Sequence, residues 1–127
     1  MDVNAITHKI IGSAMQVHAS MGSGFQELIY QRALAIELAL NGLAFEREKE
    51  MPIFYRNEQI GLRRADFFVE GLIIVELKAV EQLLAIHRAQ AINYLEAYNI
   101  CDGLLINFGG PSLEFKRLYN KKLIRPD

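Results

Sequence analysis

The apolar positions of the chain follow two different periods, which divide it into helices and strands. In the first segment, apolar residues recur every three or four positions, at Ile6, Ile10, Ala14, Val17 and Met21. This is the period of an amphipathic helix, and the glycines of residues 22–24 interrupt it. A second helix is predicted at about residues 25–40. Asn41-Gly42 should end it, since both residues tolerate the left-handed conformation found at helix C-termini.

The middle of the chain changes to strand patterns. Predicted strands cover residues 45–55, 60–69, 72–78 and 103–107. A helix is predicted at residues 81–98, and residues 113–118 fit either a strand or a helix. Because a strand–helix–strand crossover joins parallel strands, the fourth strand should run parallel to one of the earlier three. The order α-α-β-β-β-α-β predicts an α+β fold with three layers (α/β/α) and a mixed central sheet.

Composition and charge bound the kind of protein. The chain has 127 residues, is 51% hydrophobic and has a formal net charge of -1. With no linker or repeat, we expect one domain over residues 1–127, and the near-neutral charge excludes a strongly basic nucleic-acid-binding domain. The single cysteine, Cys101, excludes a disulfide framework and a four-cysteine metal site. No apolar run or signal peptide indicates a membrane or export, so we predict a cytoplasmic protein without membrane association.

The third strand carries the most informative residues. Period 2 puts Ile74, Glu76 and Lys78 on one face of this apolar strand. Charges at the end of a buried strand are costly unless they are paired or bound to a metal. Asp66 lies ten residues before Glu76, across a predicted turn at Glu70-Gly71, and is also surrounded by apolar residues.

The length of the hairpin loop decides whether these two carboxylates meet. A two-residue loop would pair Asp66 with Val75 and leave Asp66 and Glu76 on opposite faces. A three-residue loop, or a glycine bulge at Gly71, puts both on the same side. We predict this second register.

Two carboxylates with a lysine nearby predict a particular chemistry. Carboxylate oxygens suit hard cations such as Mg²⁺, which also binds phosphate oxygens. Such a cation lowers the pKa of bound water and stabilises charge on a phosphoryl group. The ammonium of Lys78 could orient that water or stabilise developing negative charge.

The spacing of these three residues resembles a known nuclease pattern. Asp66, Glu76 and Lys78 form Asp-x9-Glu-x-Lys, which is similar to the motif of the PD-(D/E)XK nuclease superfamily. The proline of that motif is absent, since Ala65 precedes Asp66. The resemblance implies a restriction-endonuclease-like core and metal-dependent hydrolysis of phosphodiester bonds.

Two helical motifs narrow the resemblance. Gly24, Glu27 and Tyr30 form G-x-x-E-x-x-Y, which resembles the motif of the GxxExxY protein family, a group usually placed in the same superfamily. Gln90 and Tyr94 form Q-x-x-x-Y, which is similar to a helix of RecB-type and Cas4-type nucleases. Positions i and i+4 share a helix face, so both could address one cleft. The four-cysteine cluster of Cas4-type enzymes cannot be built from this chain.

The resemblance implies roles for individual residues. The implied ligands of Mg²⁺ or Mn²⁺ are Glu27, Asp66, Glu76 and the backbone carbonyl of Leu77. The implied catalytic residues are Asp66, Glu76, Lys78, Glu27 and Gln90. Lys78 would position the attacking hydroxide, and Gln90 would orient the lysine or a phosphate. Arg64 is predicted to bind substrate because it lies two residues before Asp66 and should share its face. Tyr94 is a further candidate for substrate binding.

Simpler interpretations remain open for several of these residues. Glu27 lies in a first helical turn, where the helix dipole favours an acid without any catalytic role. Tyr94 could pack in the core, and Gln90 could bond a strand edge. The predicted partner is nucleic acid, with DNA ahead of RNA and ends or single strands ahead of a duplex site. The alternatives are a non-catalytic binding or assembly module, and a subunit of a larger DNA-processing complex or homodimer.

Overall fold

The computed structural model describes residues 2–123 and contains three helices and five strands in that range. The helices are α1 (Val3–Met21), α2 (Glu27–Leu40) and α3 (Ala85–Tyr98). The strands are β1 (Phe45–Tyr55), β2 (Glu58–Val69), β3 (Ile73–Lys78), β4 (Asp102–Asn107) and β5 (Glu114–Tyr119). The predicted element order is confirmed, and the ambiguous segment after β4 is a strand. No helix within residues 2–123 is long and apolar enough to cross a membrane.

The five strands form one mixed sheet in the order β1-β2-β3-β4-β5. Strands β3 and β4 are parallel, as the crossover through α3 requires, and the other neighbours are antiparallel. One core joins α1 and α2 to one face of the sheet, and a smaller core joins α3 to the other. The predicted three-layer α/β/α arrangement is therefore confirmed.

The junction between α1 and α2 is fixed by a buried tyrosine. The ring of Tyr30 is fully buried and stacks on Phe108, with 4.7 Å between ring centroids. Its hydroxyl donates to the Gly22 carbonyl and accepts from the backbone N–H of Phe25 (3.1 Å). These bonds satisfy backbone groups in the turn and set where α2, and therefore Glu27, begins.

The β2–β3 hairpin has the predicted register. Val69 pairs with Ile73, which leaves a three-residue loop in which Glu70 and Gly71 have positive φ angles of 54° and 65°. Left-handed residues are usual in three-residue hairpin loops. The same register continues through Phe67, opposite Val75, and so brings Asp66 level with Glu76.

The long arm formed by β1 and β2 has a register shift between Ile53 and Phe54, and a second irregular point that lies beside Asp66. The two strands pair in one register on both sides of Glu48, which itself has a positive φ of 55° and faces Asp66 across the ladder. Beyond this point, Ala65 packs in the α3-side core, whereas Phe67 packs in the opposite core. A regular strand would put both residues on one face, so the strand twists at Asp66.

A buried asparagine clamps the chain that follows β3. The Asn107 side chain accepts from the N–H groups of Val80 (2.9 Å) and Gly109 (3.1 Å) and donates to the Val80 carbonyl (2.8 Å). It also donates to Glu114 Oε1 at 2.8 Å. Gly109 lies so close that an added Cβ would be 2.3 Å from the Val80 oxygen. The clamp fixes the backbone immediately after Lys78.

We expect Gly109→Ala to destabilise the protein by about 1–3 kcal/mol, because the new methyl group overlaps backbone atoms that cannot move independently. The matched control is Gly12→Ala, in the middle of α1, where an added Cβ meets no atom within 4 Å. Because alanine favours a helix more than glycine does, the free energy of unfolding of this control should rise by about 0.5–1 kcal/mol. Chemical denaturation measures the free energy of unfolding of both variants. Equal stability would contradict the close packing of Gly109 against the backbone of Val80.

Candidate active site

The charged end of β3 faces α3 and forms the floor of a small pocket. Ile74 is buried beneath α3, and the half-buried Glu76 and Lys78 follow it on the same face. The pocket is lined by Arg63, Glu76, Lys78, His87, Gln90, Ala91, Tyr94 and Leu105. Three parts of the chain that are distant in sequence therefore converge on the Glu76–Lys78 pair.

The Asp66 side chain accepts a backbone hydrogen bond of β3 at the point where the β2–β3 ladder ends. The β2–β3 ladder is paired from Val69 to Phe67, and the backbone N–H of Leu77 donates instead to Asp66 Oδ2 at 2.8 Å. Asp66 Oδ1 accepts from Gln31 Nε2, also at 2.8 Å. Both bonds orient the carboxylate, and each oxygen keeps a lone pair for another partner.

Gln31 is a site residue that the sequence interpretation missed. It is 5% exposed on α2, and its Oε1 is buried without a hydrogen-bond partner among the described residues. The available signal was its spacing: Gln31 lies four residues after Glu27 and so shares its helix face. It links α2 to the carboxylate of Asp66.

Glu76 is the most perturbed group of the site. The pKa of its carboxyl is raised from 4.5 to about 9, first by burial and then by the charge of Asp66 and a side-chain hydrogen bond with it. Lys78 and Arg63 oppose this shift. One carboxyl oxygen, Oε1, is buried with no hydrogen-bond partner within residues 2–123. A proton or a cation is therefore needed for this group to be stable in place.

The backbone carbonyl of Leu77 faces the same space as Asp66. The carbonyl of Lys78 accepts from the Phe108 N–H on the β4 side of the strand. The Leu77 N–H donates to Asp66 on the β2 side. Since the N–H and C=O of one strand residue point to the same side, the Leu77 carbonyl also faces β2.

Glu27 lies at the open side of the site, in the first turn of α2. Partial burial raises the pKa of its carboxyl, the charge of Lys78 lowers it and that of Asp66 raises it again. Within residues 2–123, no three His, Cys, Asp or Glu side chains are close enough to form a ready-made metal cluster. The structure thus brings Asp66 and Glu76 together as a pair and leaves Glu27 further out.

The arginine in the pocket is Arg63 and not Arg64. The Arg63 guanidinium lies over the Tyr94 ring, 4.7 Å from its centroid. Arg64 is exposed and its Nη2 is 3.5 Å from Glu50 Oε1. Sequence alternation placed Arg64 on the face of Asp66, but the twist at Asp66 breaks that alternation, so Arg63 is the residue that lines the pocket.

Gln90 and Tyr94 both line the pocket, as their spacing on one helix face predicts. The hydroxyl of Tyr94 is buried without a hydrogen-bond partner in the described part of the chain, and burial raises its pKa. His87, one turn earlier, accepts from the Leu84 N–H at 3.0 Å and so satisfies the start of α3.

The donor atoms of the site suit a hard divalent cation. Asp66 and Glu76 are adjacent carboxylates, and Glu76 has a buried oxygen that finds no partner in the described part of the chain. The Leu77 carbonyl faces β2, on the side where Asp66 accepts the Leu77 N–H. Mg²⁺ binds through one or two carboxylates and keeps several waters, so a pre-formed cluster of three acids is not required. The residues present therefore fit such an ion.

Comparison with known proteins agrees with this geometry. A family model described as the PD-(D/E)XK nuclease superfamily matches residues 4–118. No curated protein matches. A solved structure described as "Crystal structure of SSO0001" aligns with a TM-score of 0.58 and 20% sequence identity, over 73% of this chain and 50% of that one. The chain therefore spans half of that structure's length, and the likeness shows a shared fold, consistent with the predicted restriction-endonuclease-like core.

The raised pKa of Glu76 predicts a pH-dependent stability in a metal-chelating buffer. Between about pH 4.5 and 9 the folded state holds a proton that the unfolded state has released. The stabilisation from this proton is complete below pH 4.5 and is lost as pH rises through 9. Relative to Glu76→Gln, the free energy of unfolding of the wild type should fall by up to about 1.4 kcal/mol per pH unit over this range.

Chemical denaturation of both proteins at several pH values measures the difference. Glu58→Gln, which removes an exposed carboxyl at the start of β2, is the control and should follow the wild type. A stability difference between wild type and Glu76→Gln that does not change with pH would show that Glu76 is not buried as described.

Proposed function

Because the chain belongs to the PD-(D/E)XK nuclease superfamily, we propose that it hydrolyses phosphodiester bonds of nucleic acid at Asp66, Glu76 and Lys78 with a divalent cation. The observation that carries the proposal is Oε1 of Glu76, which is buried without a hydrogen-bond partner among residues 2–123. Glu76 lies beside Asp66, on the strand that ends in Lys78. Nucleases of this superfamily generally use divalent metals. We propose Mg²⁺ or Mn²⁺, and DNA as the substrate ahead of RNA.

The cation would be held by Asp66, Glu76 and the carbonyl of Leu77, with Glu27 acting through a bound water. When bound, it would lower the pKa of water and stabilise charge on the phosphoryl group. Gln31 and the Leu77 N–H keep the Asp66 carboxylate turned toward Glu76. Rotation of either carboxylate would separate the donor atoms, so these bonds preorganise the site.

The remaining residues act on the substrate. The Lys78 ammonium, on the same face as Glu76, would orient the attacking water and stabilise negative charge that develops on the phosphorus oxygens. Gln90 would hydrogen-bond a phosphate oxygen or Lys78, and Arg63 would bind a phosphate next to the scissile one. Tyr94 supports Arg63 through its ring, and its hydroxyl, which has no hydrogen-bond partner within residues 2–123, is a further candidate to bind the substrate.

We also propose the GxxExxY assignment within the superfamily. Tyr30 of that motif is a buried anchor of the α1–α2 junction. Glu27 follows this junction at the start of α2 and interacts electrostatically with Lys78. In this proposal, the Tyr30 anchor fixes the start of α2 and with it the position of Glu27.

Lys78→Ala should reduce cleavage by about a hundredfold or more, because the ammonium stabilises charge only as the transition state forms. The measurement is cleavage of a panel of single- and double-stranded DNA and RNA in Mg²⁺ and in Mn²⁺. Lys9→Ala, on α1 across the sheet, is the matched control and should retain wild-type activity. Equal cleavage by the wild type and Lys78→Ala would contradict the proposed nuclease activity and favour a non-catalytic binding or assembly module.

Metal binding at pH 7 should release about one proton per ion, because Glu76 must lose its proton to bind a cation. Titration calorimetry with Mn²⁺ in two buffers of different ionisation enthalpy measures the protons released. Glu76→Gln should bind more weakly and release none. Binding of Mn²⁺ by both proteins with the same proton release would place the ion elsewhere.

A further inference from the structure

A groove lies next to the active-site pocket, between the β1–β2 arm and α3. It has a volume of about 230 Å³ and is lined by Ile53, Arg63, Gln90, Asn93, Tyr94 and Ala97. We call this the arm groove. Three of its residues, Arg63, Gln90 and Tyr94, also line the pocket of Glu76 and Lys78. The arm groove and the active-site pocket therefore share one wall.

The two walls of the arm groove touch each other at two places. The Arg63 guanidinium of the arm lies on the Tyr94 ring of α3. The Tyr98 hydroxyl of α3 donates to the Met51 carbonyl of the arm at 2.6 Å. Walls joined in this way leave too little width for a double helix, whereas one strand with an unstacked base can enter.

The side chains of the arm groove match the chemistry of a single strand. Its one charged residue is the cationic Arg63, and no acidic side chain lines it among the described residues. Ile53 and Tyr94 offer apolar surface to a base, and planar guanidinium groups stack on bases as well. The amides of Gln90 and Asn93 can donate to and accept from a base edge.

We propose that the arm groove binds a single-stranded segment of the substrate, with one base against Ile53 and Tyr94 and a phosphate at Arg63. This inference rests on the proposed function of the adjoining site, and it narrows the substrate to single strands or frayed ends. Beyond the groove, the end of the arm exposes Phe54 and Tyr55, on which further bases can stack.

Two alanines of α3 provide a matched pair of variants. Ala97 lines the arm groove, whereas Ala89 lines a separate pocket on the other flank of α3, beside Arg88 and Lys116. Both are exposed, so Ala97→Glu and Ala89→Glu carry the same helix-propensity cost and the same charge change. Only the first puts a carboxylate in the path of the strand.

The test is fluorescence anisotropy of labelled oligo-dT and oligo-U of about 12 nucleotides, each titrated with Lys78→Ala protein so that nothing is cleaved. Ala97→Glu should weaken binding by about tenfold or more, since it removes one stacked base and repels a phosphate. Ala89→Glu should leave binding unchanged. Unlabelled single strands should compete better than a duplex of the same sequence.

Three results would each contradict single-strand binding in the arm groove. They are equal binding by the two glutamate variants, absence of single-strand binding, and equal competition by a duplex. The outcome is separable from that of the proposed hydrolysis. If the wild type cleaves nucleic acid but the two variants bind alike, only the groove is wrong. If Ala97→Glu alone loses binding but the wild type cleaves nothing, only the hydrolysis is wrong.

Discussion

The placing of two carboxyl groups side by side in a mostly buried space is the constraint on which the site depends. Burial and the charge of Asp66 both act against ionisation of Glu76, whose pKa rises to about 9. Such a pair is unfavourable in a folded protein unless a proton or a cation lies between the groups. The surrounding bonds hold the pair together, since Gln31 and the Leu77 N–H fix Asp66 and β3 fixes Glu76. The proposed divalent cation would neutralise the pair and bind the carboxyl oxygen of Glu76 that is buried without a partner among residues 2–123.

The fold supports the pair from three directions. The three-residue loop of the β2–β3 hairpin sets the register that brings Asp66 level with Glu76. On the other side of β3, the parallel partner β4 ends in Asn107, whose side chain clamps the backbone after Lys78. Tyr30 fixes the start of α2, from which Glu27 and Gln31 reach the site. None of these supports has a proposed chemical role itself, yet each fixes the position of a group that has one.

Much of this could be predicted from the sequence, and the failures have physical causes. Helix and strand periods predicted the layers, and loop geometry predicted the register of Asp66 and Glu76. Strict alternation along β2 assigned Arg64 to the site, but the twist at Asp66, opposite the positive φ of Glu48, brings Arg63 there instead. No local pattern reveals this twist, because it depends on pairing between two strands. Gln31 was missed because its partner, Asp66, is 35 residues away in sequence.

The near-neutral net charge constrains how such a protein would meet nucleic acid. Several of its acids are the proposed ligands, so a bound cation would make the site locally positive while the rest of the surface stays balanced. The most direct measurement is a crystal structure of the protein soaked in Mn²⁺, with anomalous data. We expect a peak within coordination distance of Asp66, Glu76 and the Leu77 carbonyl. A peak elsewhere, with Glu76 still bonded only to Asp66, would contradict it.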